Sequence, residues 1–179
     1  MECPKCQGYK LQPTKLEQGL TVMGCAKCNG AIVSLLNYRD WLERTDASES
    51  EPYLEEYSAE KVIDTPTMLT CPKCKKAMLK YKISGCSGSR LDLCASCDEA
   101  WLDDGEWELL KSLELTRQMP SVFTEEWQRK LRKQATEEAR EKRLLLVVEQ
   151  DELDEAKRVR DWLKGHPNKG ELMFFINLD

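Results

Sequence analysis

The chain has little of what most chemistries require. Its 179 residues include one histidine and three phenylalanines, and aromatics make up only 7%. That histidine, His166, lies between Gly165 and Pro167, a setting that reads as a solvated turn. A histidine-based acid–base or nucleophilic centre therefore has no material to work with. No phosphate-binding glycine loop occurs. No apolar run nears the roughly 20 residues that span a bilayer. Positive charge is also scarce: 27 bases stand against 32 acids, a formal net charge of −5. Almost all of that deficit falls between 46 and 70, where seven acids meet one lysine. A dedicated polyanion binder shows the opposite balance, because its affinity rests on neutralising phosphates. The opening residues, Met1-Glu2-Cys3-Pro4-Lys5-Cys6, carry no basic start with an apolar stretch behind it, so no secretory leader is expected. We expect a cytoplasmic, reducing setting, where cysteines serve metal or redox chemistry rather than disulfides.

Cysteine is what the chain does have, nine in all. Cys3-Pro4-Lys5-Cys6 is followed after 18 residues by Cys25-Ala26-Lys27-Cys28. Cys71-Pro72-Lys73-Cys74 is followed after 19 by Cys94-Ala95-Ser96-Cys97. The first pairs are offset by 68 residues and the second pairs by 69, which marks an internal duplication with one insertion. Two Cys-x-x-Cys pairs at this separation have the spacing of a four-thiolate zinc site. Each pair turns tightly enough to aim two sulfurs at one point, and the residues between return the chain as a hairpin. Four protein sulfurs leave no position for water or substrate, so such a site is structural. The expected ligands are Cys3, Cys6, Cys25 and Cys28 for one Zn²⁺, and Cys71, Cys74, Cys94 and Cys97 for a second. Iron in the same four-sulfur geometry is the chemical alternative.

Between the pairs the hairpins are legible. Leu79, Tyr81 and Ile83 alternate with Lys80 and Lys82, the period of a half-buried strand. Ser84 to Ser89 is a turn, and Leu91 and Leu93 alternate with Arg90 and Asp92 on the way back. In the first copy the turn is Glu17-Gln18-Gly19, and Leu20, Val22 and Gly24 lead to Cys25. A module of this size is too small to fold on apolar burial alone. Metal binding, worth about 10–16 kcal/mol in zinc-finger peptides, supplies what is missing. With both sites filled, the formal charge deepens to about −9.

Past its last cysteine the second copy continues Asp98-Glu99-Ala100-Trp101-Leu102-Asp103-Asp104-Gly105-Glu106, then Trp107-Glu108-Leu109-Leu110. Over 71–112 the chain resembles the bacterial zinc ribbons of the transcription-factor-IIB type. In those, Cys-Pro-x-Cys, a hairpin and Cys-x-x-Cys precede a Trp-Leu-Asp-x-Gly-Glu tail that opens a short helix. The first copy is similar more weakly: Asn29-Gly30-Ala31-Ile32-Val33-Ser34 lacks the Trp and the acid-Gly-Glu turn. The resemblance implies that all four cysteines of each copy are ligands, and its name implies a link to transcription. Read physically, Trp101 and Leu102 pack on the hairpin, Asp103 or Asp104 caps the next helix, and Asn37 caps a helix through Tyr38, Trp41 and Leu42.

Residues 46–70 read as an acidic linker with a short helix near Tyr53 to Val62 that ends before Pro66. From Thr124, a cap, to Lys164 the chain reads as helix in one piece or two. Glu125–Arg129, Glu126–Lys130, Glu138–Lys142 and Asp154–Arg158 form supportive i,i+4 pairs, and Gly165 and Pro167 mark the stop. Leu144 to Val148 is too dense for one helix face; it reads as a buried helical turn or a short strand with which Met173 to Ile176 can pair. The ninth cysteine, Cys86, lies at a hairpin tip and reads as a free thiol without a basic neighbour to activate it.

The expected architecture is a small metal-stabilised α+β protein. Zinc ribbon 1 spans 1–45, the acidic linker 46–70, zinc ribbon 2 spans 71–118, and a helical arm 119–179. The expected function is a non-enzymatic zinc-binding scaffold for a protein partner or homo-oligomer through the helical arm, with no membrane and no small-molecule substrate. The competing function is nucleic-acid binding by a basic face of ribbon 2 built from Lys73, Lys75, Lys76, Lys80, Lys82 and Arg90, interrupted by Asp92, Asp98 and Glu99. A third is redox sensing through exchangeable zinc and Cys86.

Overall fold

The computed structural model describes residues 1–45, 64–85 and 87–178. The expected linker helix near Tyr53 to Val62 and the hairpin-tip Cys86 lie outside the described residues. The chain divides into two units, Met1–Arg132 and Lys133–Asp179.

In the first unit each cysteine copy builds a three-stranded meander that runs into a helix. Copy one supplies β1 (Gln12–Glu17), β2 (Leu20–Gly24), β3 (Ala31–Ser34) and α1 (Leu35–Arg44). Copy two supplies β4 (Leu79–Lys82), β5 (Arg90–Cys94), β6 (Glu99–Leu102) and α2 (Glu106–Ser112). Equivalent positions keep the same register. Met23 faces Ile32 as Asp92 faces Trp101, and Gly24 faces Ala31 as Leu93 faces Ala100. The turn at Gly19, with φ +81°, closes the first hairpin where glycine alone escapes a Cβ clash.

The two meanders join into one six-stranded sheet, order β1-β2-β3-β6-β5-β4, through antiparallel pairing of β3 with β6. Ile32 pairs with Trp101, while Ala31 pairs with Leu102 and Val33 with Ala100. Because Ile32 and Trp101 are equivalent in the duplication, the contact is an intramolecular version of a two-fold, self-complementary interface. The pairing also sets the two unlike tails against each other. Trp101 lies against Gly30, where an added Cβ would come within 2.4 Å of the indole Cζ2. One tail gives the ring and the other makes room for it.

Alternation along the strands divides the apolar residues between two layers. On one face Val33, Leu91, Ala100 and Leu102 pack with Tyr38 and Trp41 of α1 and Trp107 and Leu110 of α2. On the other face Ile32, Trp101, Leu69 and Met78 pack with Cys3, Cys25, Cys71 and Cys94. Trp41 meets Trp107 edge-on at 6.2 Å between ring centroids. Their indole N–H groups donate to the Gln18 carbonyl and the Glu17 carboxylate, each at 3.0 Å. These aromatic residues are core, as the sequence suggests. The short α3 (Met119–Val122) closes the layer, with Met119 and Val122 fully buried.

Some helix starts differ from expectation. Helix α1 begins at Leu35 with Ser34 at its cap position, not at Asn37. Strand β3 runs straight into it, the Leu35 N–H donating to the Asp98 carbonyl, so no loop remains for Asn37 to cap. At α2 the cap position belongs to Gly105, with φ +83°. The roles of acid and backbone are reversed there: the Glu106 carboxylate accepts the Asp103 N–H at 2.8 Å. Thr124 does cap α4 (Glu125–Leu144), its hydroxyl accepting the Trp127 N–H at 3.2 Å. The first turns of α4 cover β4, where Gln128 bonds to both the N–H and the carbonyl of Lys82.

The second unit holds the rest of α4, α5 (Gln150–Lys164) and α6 (Lys169–Ile176). Glu149 and Glu152 form a capping box at the start of α5, and the helix ends at Gly165. Residues 145–148 form an exposed turn, neither strand nor buried helix, with Leu146 and Val147 about four-fifths exposed. Met173 to Ile176 belong to α6 rather than to a strand. His166 sits in the α5–α6 turn with its Nδ1 accepting the Asn168 N–H. No helix among the described residues is long and apolar enough to cross a membrane.

Replacing Gly30 by Ala forces a Cβ into Trp101 and should cost about 1–3 kcal/mol, the usual range for an overpacked core. Gly88→Ala, whose Cβ meets open space, should leave the melting temperature unchanged. Thermal unfolding of the metal-loaded variants, followed by tryptophan fluorescence, checks both.

Candidate metal centres

Four local turns build the two centres. Within them the Cys3 N–H donates to the Tyr9 carbonyl, Asn29 to Cys25, Lys75 to Cys71 and Cys97 to Cys94. The second cysteine of every pair is followed within two residues by a left-handed backbone: Gly8, Asn29, Lys75 and Asp98. Glycine reaches that conformation freely, and Asn and Asp tolerate it. Lys75 holds it against a cost of roughly 1–2 kcal/mol. The left-handed step reverses the chain, so that backbone N–H groups converge on the sulfurs; the Cys6 N–H lies 3.2 Å from the Cys3 Sγ.

The result is two clusters, Cys3, Cys6, Cys25, Cys28 and Cys71, Cys74, Cys94, Cys97, in each of which all four sulfurs lie within 4.8 Å of one another. The Sγ of Cys3 is 3.7 Å from that of Cys28, and the Sγ of Cys74 is 3.5 Å from that of Cys94. A tetrahedron of sulfurs at about 2.3 Å from a central zinc has edges of ~3.8 Å, so the donor set fits such an ion. All eight expected ligands are brought together, and each can coordinate a metal ion.

Proton affinities within the clusters show why a cation belongs there. Burial opposes the Cys25 thiolate, yet the N–H groups of Cys28 and Lys27 prevail and lower its pKa to about 7. The Lys76 N–H and the Cys97 thiol bring Cys74 to about 7. Their neighbours move the other way. Cys97 is pushed up to about 12 by its hydrogen bond with Cys74. Burial raises Cys3, Cys28 and Cys71. Without a cation, one thiolate in each cluster forms at the expense of the others. A divalent ion removes that conflict by displacing the remaining protons.

A second polar constellation, not legible in the sequence, is a carboxylate set of buried Asp92, Asp103 and Glu106 with partly buried Asp64. Asp103 accepts from the Trp101 indole at 3.0 Å, the Thr65 N–H at 2.7 Å and Lys5 at 3.2 Å. Asp92 pairs with Lys80 at 2.7 Å, and Asp64 with Arg90 at 2.6 Å. Burial pushes Asp92 up to about 6 despite Lys80. Three carboxylates thus have three cations. Glu106, 1% exposed, has no ion-pair partner among the described residues, and burial raises its pKa well above the usual carboxyl range. No local pattern announces this set, because its members come from the end of the linker and three segments of ribbon 2, with Lys5 of ribbon 1 as one of their cations.

The six basic residues named in the sequence fall into two groups. Lys73 pairs with Glu99, Lys80 with Asp92 and Arg90 with Asp64. Lys80, expected on a solvated strand face, has only 13% of its side chain exposed because it crosses to the buried Asp92. Lys75, Lys76 and Lys82 are exposed, with Lys76 bonded to the Ser96 hydroxyl.

Two outcomes follow from these environments. Cys74→Ser or Cys6→Ser should each lower bound metal from two ions to one per chain by elemental analysis. Metal affinity should also fall from pH 8 to pH 6, because protons compete for the raised thiols. Glu106→Gln addresses the buried acid. Its raised pKa means that its contribution to stability is full below the ordinary Glu range and is lost as pH rises through the raised value. The variant should therefore be more stable than the parent at pH 8–9, with a gain that shrinks as pH falls, read from urea unfolding at several pH values.

Comparison with protein-family models, with curated proteins and with solved structures finds no match for this chain. The two clusters are identified by their own geometry, as zinc-ribbon-like four-cysteine metal-binding motifs on β-hairpins.

Proposed function

We propose that the chain is a non-enzymatic zinc protein, cytoplasmic, in which each cluster holds one structural Zn²⁺ and the joined ribbons form a scaffold for protein partners. The observation that carries this reading is the closed donor set: four protein sulfurs per site, with edges near those of a zinc–thiolate tetrahedron and no position left for a substrate. Such an ion orders the fold and does no chemistry. The Trp101-Leu102-Asp103-Asp104-Gly105-Glu106 tail supports affiliation with the transcription-factor-IIB-type zinc ribbons, and with it a scaffold that works near transcription.

Protein docking is favoured over nucleic-acid binding by where the basic residues are spent. Lys73, Lys80 and Arg90 face carboxylates, Lys73 with half of its side chain still exposed, and Lys75, Lys76 and Lys82 are the exposed bases of that face with no carboxylate pair among the described residues. Three lysines on a chain of net charge −5 are a weak lure for phosphates.

Elemental analysis should return two zinc ions per chain; iron, with its visible thiolate charge-transfer absorption, would overturn the metal assignment. The zinc-loaded chain, titrated with labelled single- and double-stranded DNA and RNA, should show no binding at physiological salt. Tight, salt-sensitive binding abolished by Lys75→Glu, Lys76→Glu and Lys82→Glu together would replace the docking scaffold with a nucleic-acid reader.

A further inference from the structure

The unit Lys133–Asp179 covers little of its apolar surface. Leu153 and Leu163 are its buried residues among those described. Leu146, Val147, Trp162, Phe174, Phe175 and Ile176 are each more than half exposed. Helices α4 and α5 are tied by polar contacts, Lys157 to Glu141 at 2.8 Å and Arg160 to Glu137, rather than by a core. So much exposed apolar side chain in so small a unit points to an interaction face.

That face has a definite shape and charge pattern. Helices α5 and α6 flank a groove of about 840 Å³ whose apolar lining is Ala156, Val159, Leu163 and Met173. Asp151, Glu152 and Glu155, from the first turns of α5, supply acid on one side of Val159. Lys164, from the last turn of α5, and Lys169, at the start of α6, supply base on the other. Arg160, paired with Glu137, also lines it, so the groove runs from acid to base across a middle that is apolar apart from this arginine.

We propose that this groove is a homodimer interface, occupied by the α5–α6 face of a second copy of the chain in antiparallel, two-fold orientation. With the axis near Val159, Glu155 of each copy falls opposite Lys164 of the other. Asp151 likewise approaches the Lys169 end, and each contact occurs twice by symmetry. A parallel arrangement would set acid on acid and base on base, which opposes it. The apolar middle meets its own copy, and α6, apolar around its circumference at Met173 to Ile176, gains cover that its own unit does not provide. A second copy is the occupant that carries this reversed pattern by construction. The inference rests on the scaffold reading and names the partner of its helical arm.

Charge reversal tests it in the full-length, zinc-loaded chain. The parent should sediment as a dimer at about 10 µM, a concentration at which a micromolar interface is filled. Asp151→Lys with Glu155→Lys leaves Glu152 as the acid among the groove's lining residues, and Lys164→Glu with Lys169→Glu leaves Arg160 as the base. Each double variant alone should dimerise at least about tenfold more weakly, and an equimolar mixture should recover the dimer as a heterodimer. Recovery on mixing also shows that both variants are folded, and circular dichroism checks this independently. A monomeric parent, or reversed variants that dimerise as well as the parent, would overturn the homodimer. A defined protein partner captured by a monomeric parent would leave the scaffold standing without it. A dimer that survives reversal places the interface elsewhere and also overturns the assignment.

Discussion

The pairing of β3 with β6 is the contact on which the ribbon unit depends. Strand β6 is bonded on one edge to β5 and on the other to β3, and its four residues are buried. A single four-cysteine module has little to bury and draws its stability from metal. Two modules joined edge to edge share a sheet, and with it both faces. On one face the helices meet through Trp41 and Trp107; on the other the two sulfur clusters meet through Ile32 and Trp101. Both sulfur clusters therefore border one apolar layer, and the six strands form a single sheet.

The same junction gathers charge. Lys5, set between two cysteines of copy one, reaches Asp103 in the tail of copy two, and Asp103 also receives the Trp101 indole and the Thr65 backbone. A buried carboxylate is tolerable only when it is hydrogen-bonded and paired, or neutral. Asp64, Asp92 and Asp103 are of the first kind; Glu106, without a cation, is held toward the second by its raised pKa. The compensation has a functional consequence. Lys80 is taken up by Asp92 within copy two, and Arg90 by Asp64 at the end of the linker, so both are engaged with carboxylates of the chain itself.

Against this economical core stands the helical unit, which displays apolar side chains rather than storing them. Its helices are well specified by their own caps and ends, yet their contacts are largely between charges. A segment that is locally well defined and globally under-buried is suited to assembly, since association supplies the burial that folding alone did not. In the scaffold reading the two units divide the work, the ribbons providing a metal-fixed frame and the helices a surface to be filled.

What the sequence determined by itself is whatever short-range geometry dictates. Two Cys-x-x-Cys pairs separated by a hairpin bring four sulfurs together almost regardless of surroundings, so both four-cysteine clusters were legible, as were the duplication, the Thr124 cap and the stop at Gly165. Tertiary structure alone decided what depends on which edges meet. Lys80 reads as solvated until Asp92 is found buried opposite it, and Asn37 reads as a cap until β3 proves continuous with α1. The missing tryptophan of copy one reads as divergence until Gly30 is seen against Trp101. Asp103 likewise reads as a helix cap until Trp101, Thr65 and Lys5 claim it. The physical reason is common to all four. Spacing along the chain fixes turns, whereas burial and ion pairing are set by partners from other segments, 12 positions away for Lys80 and Asp92 and 98 for Lys5 and Asp103.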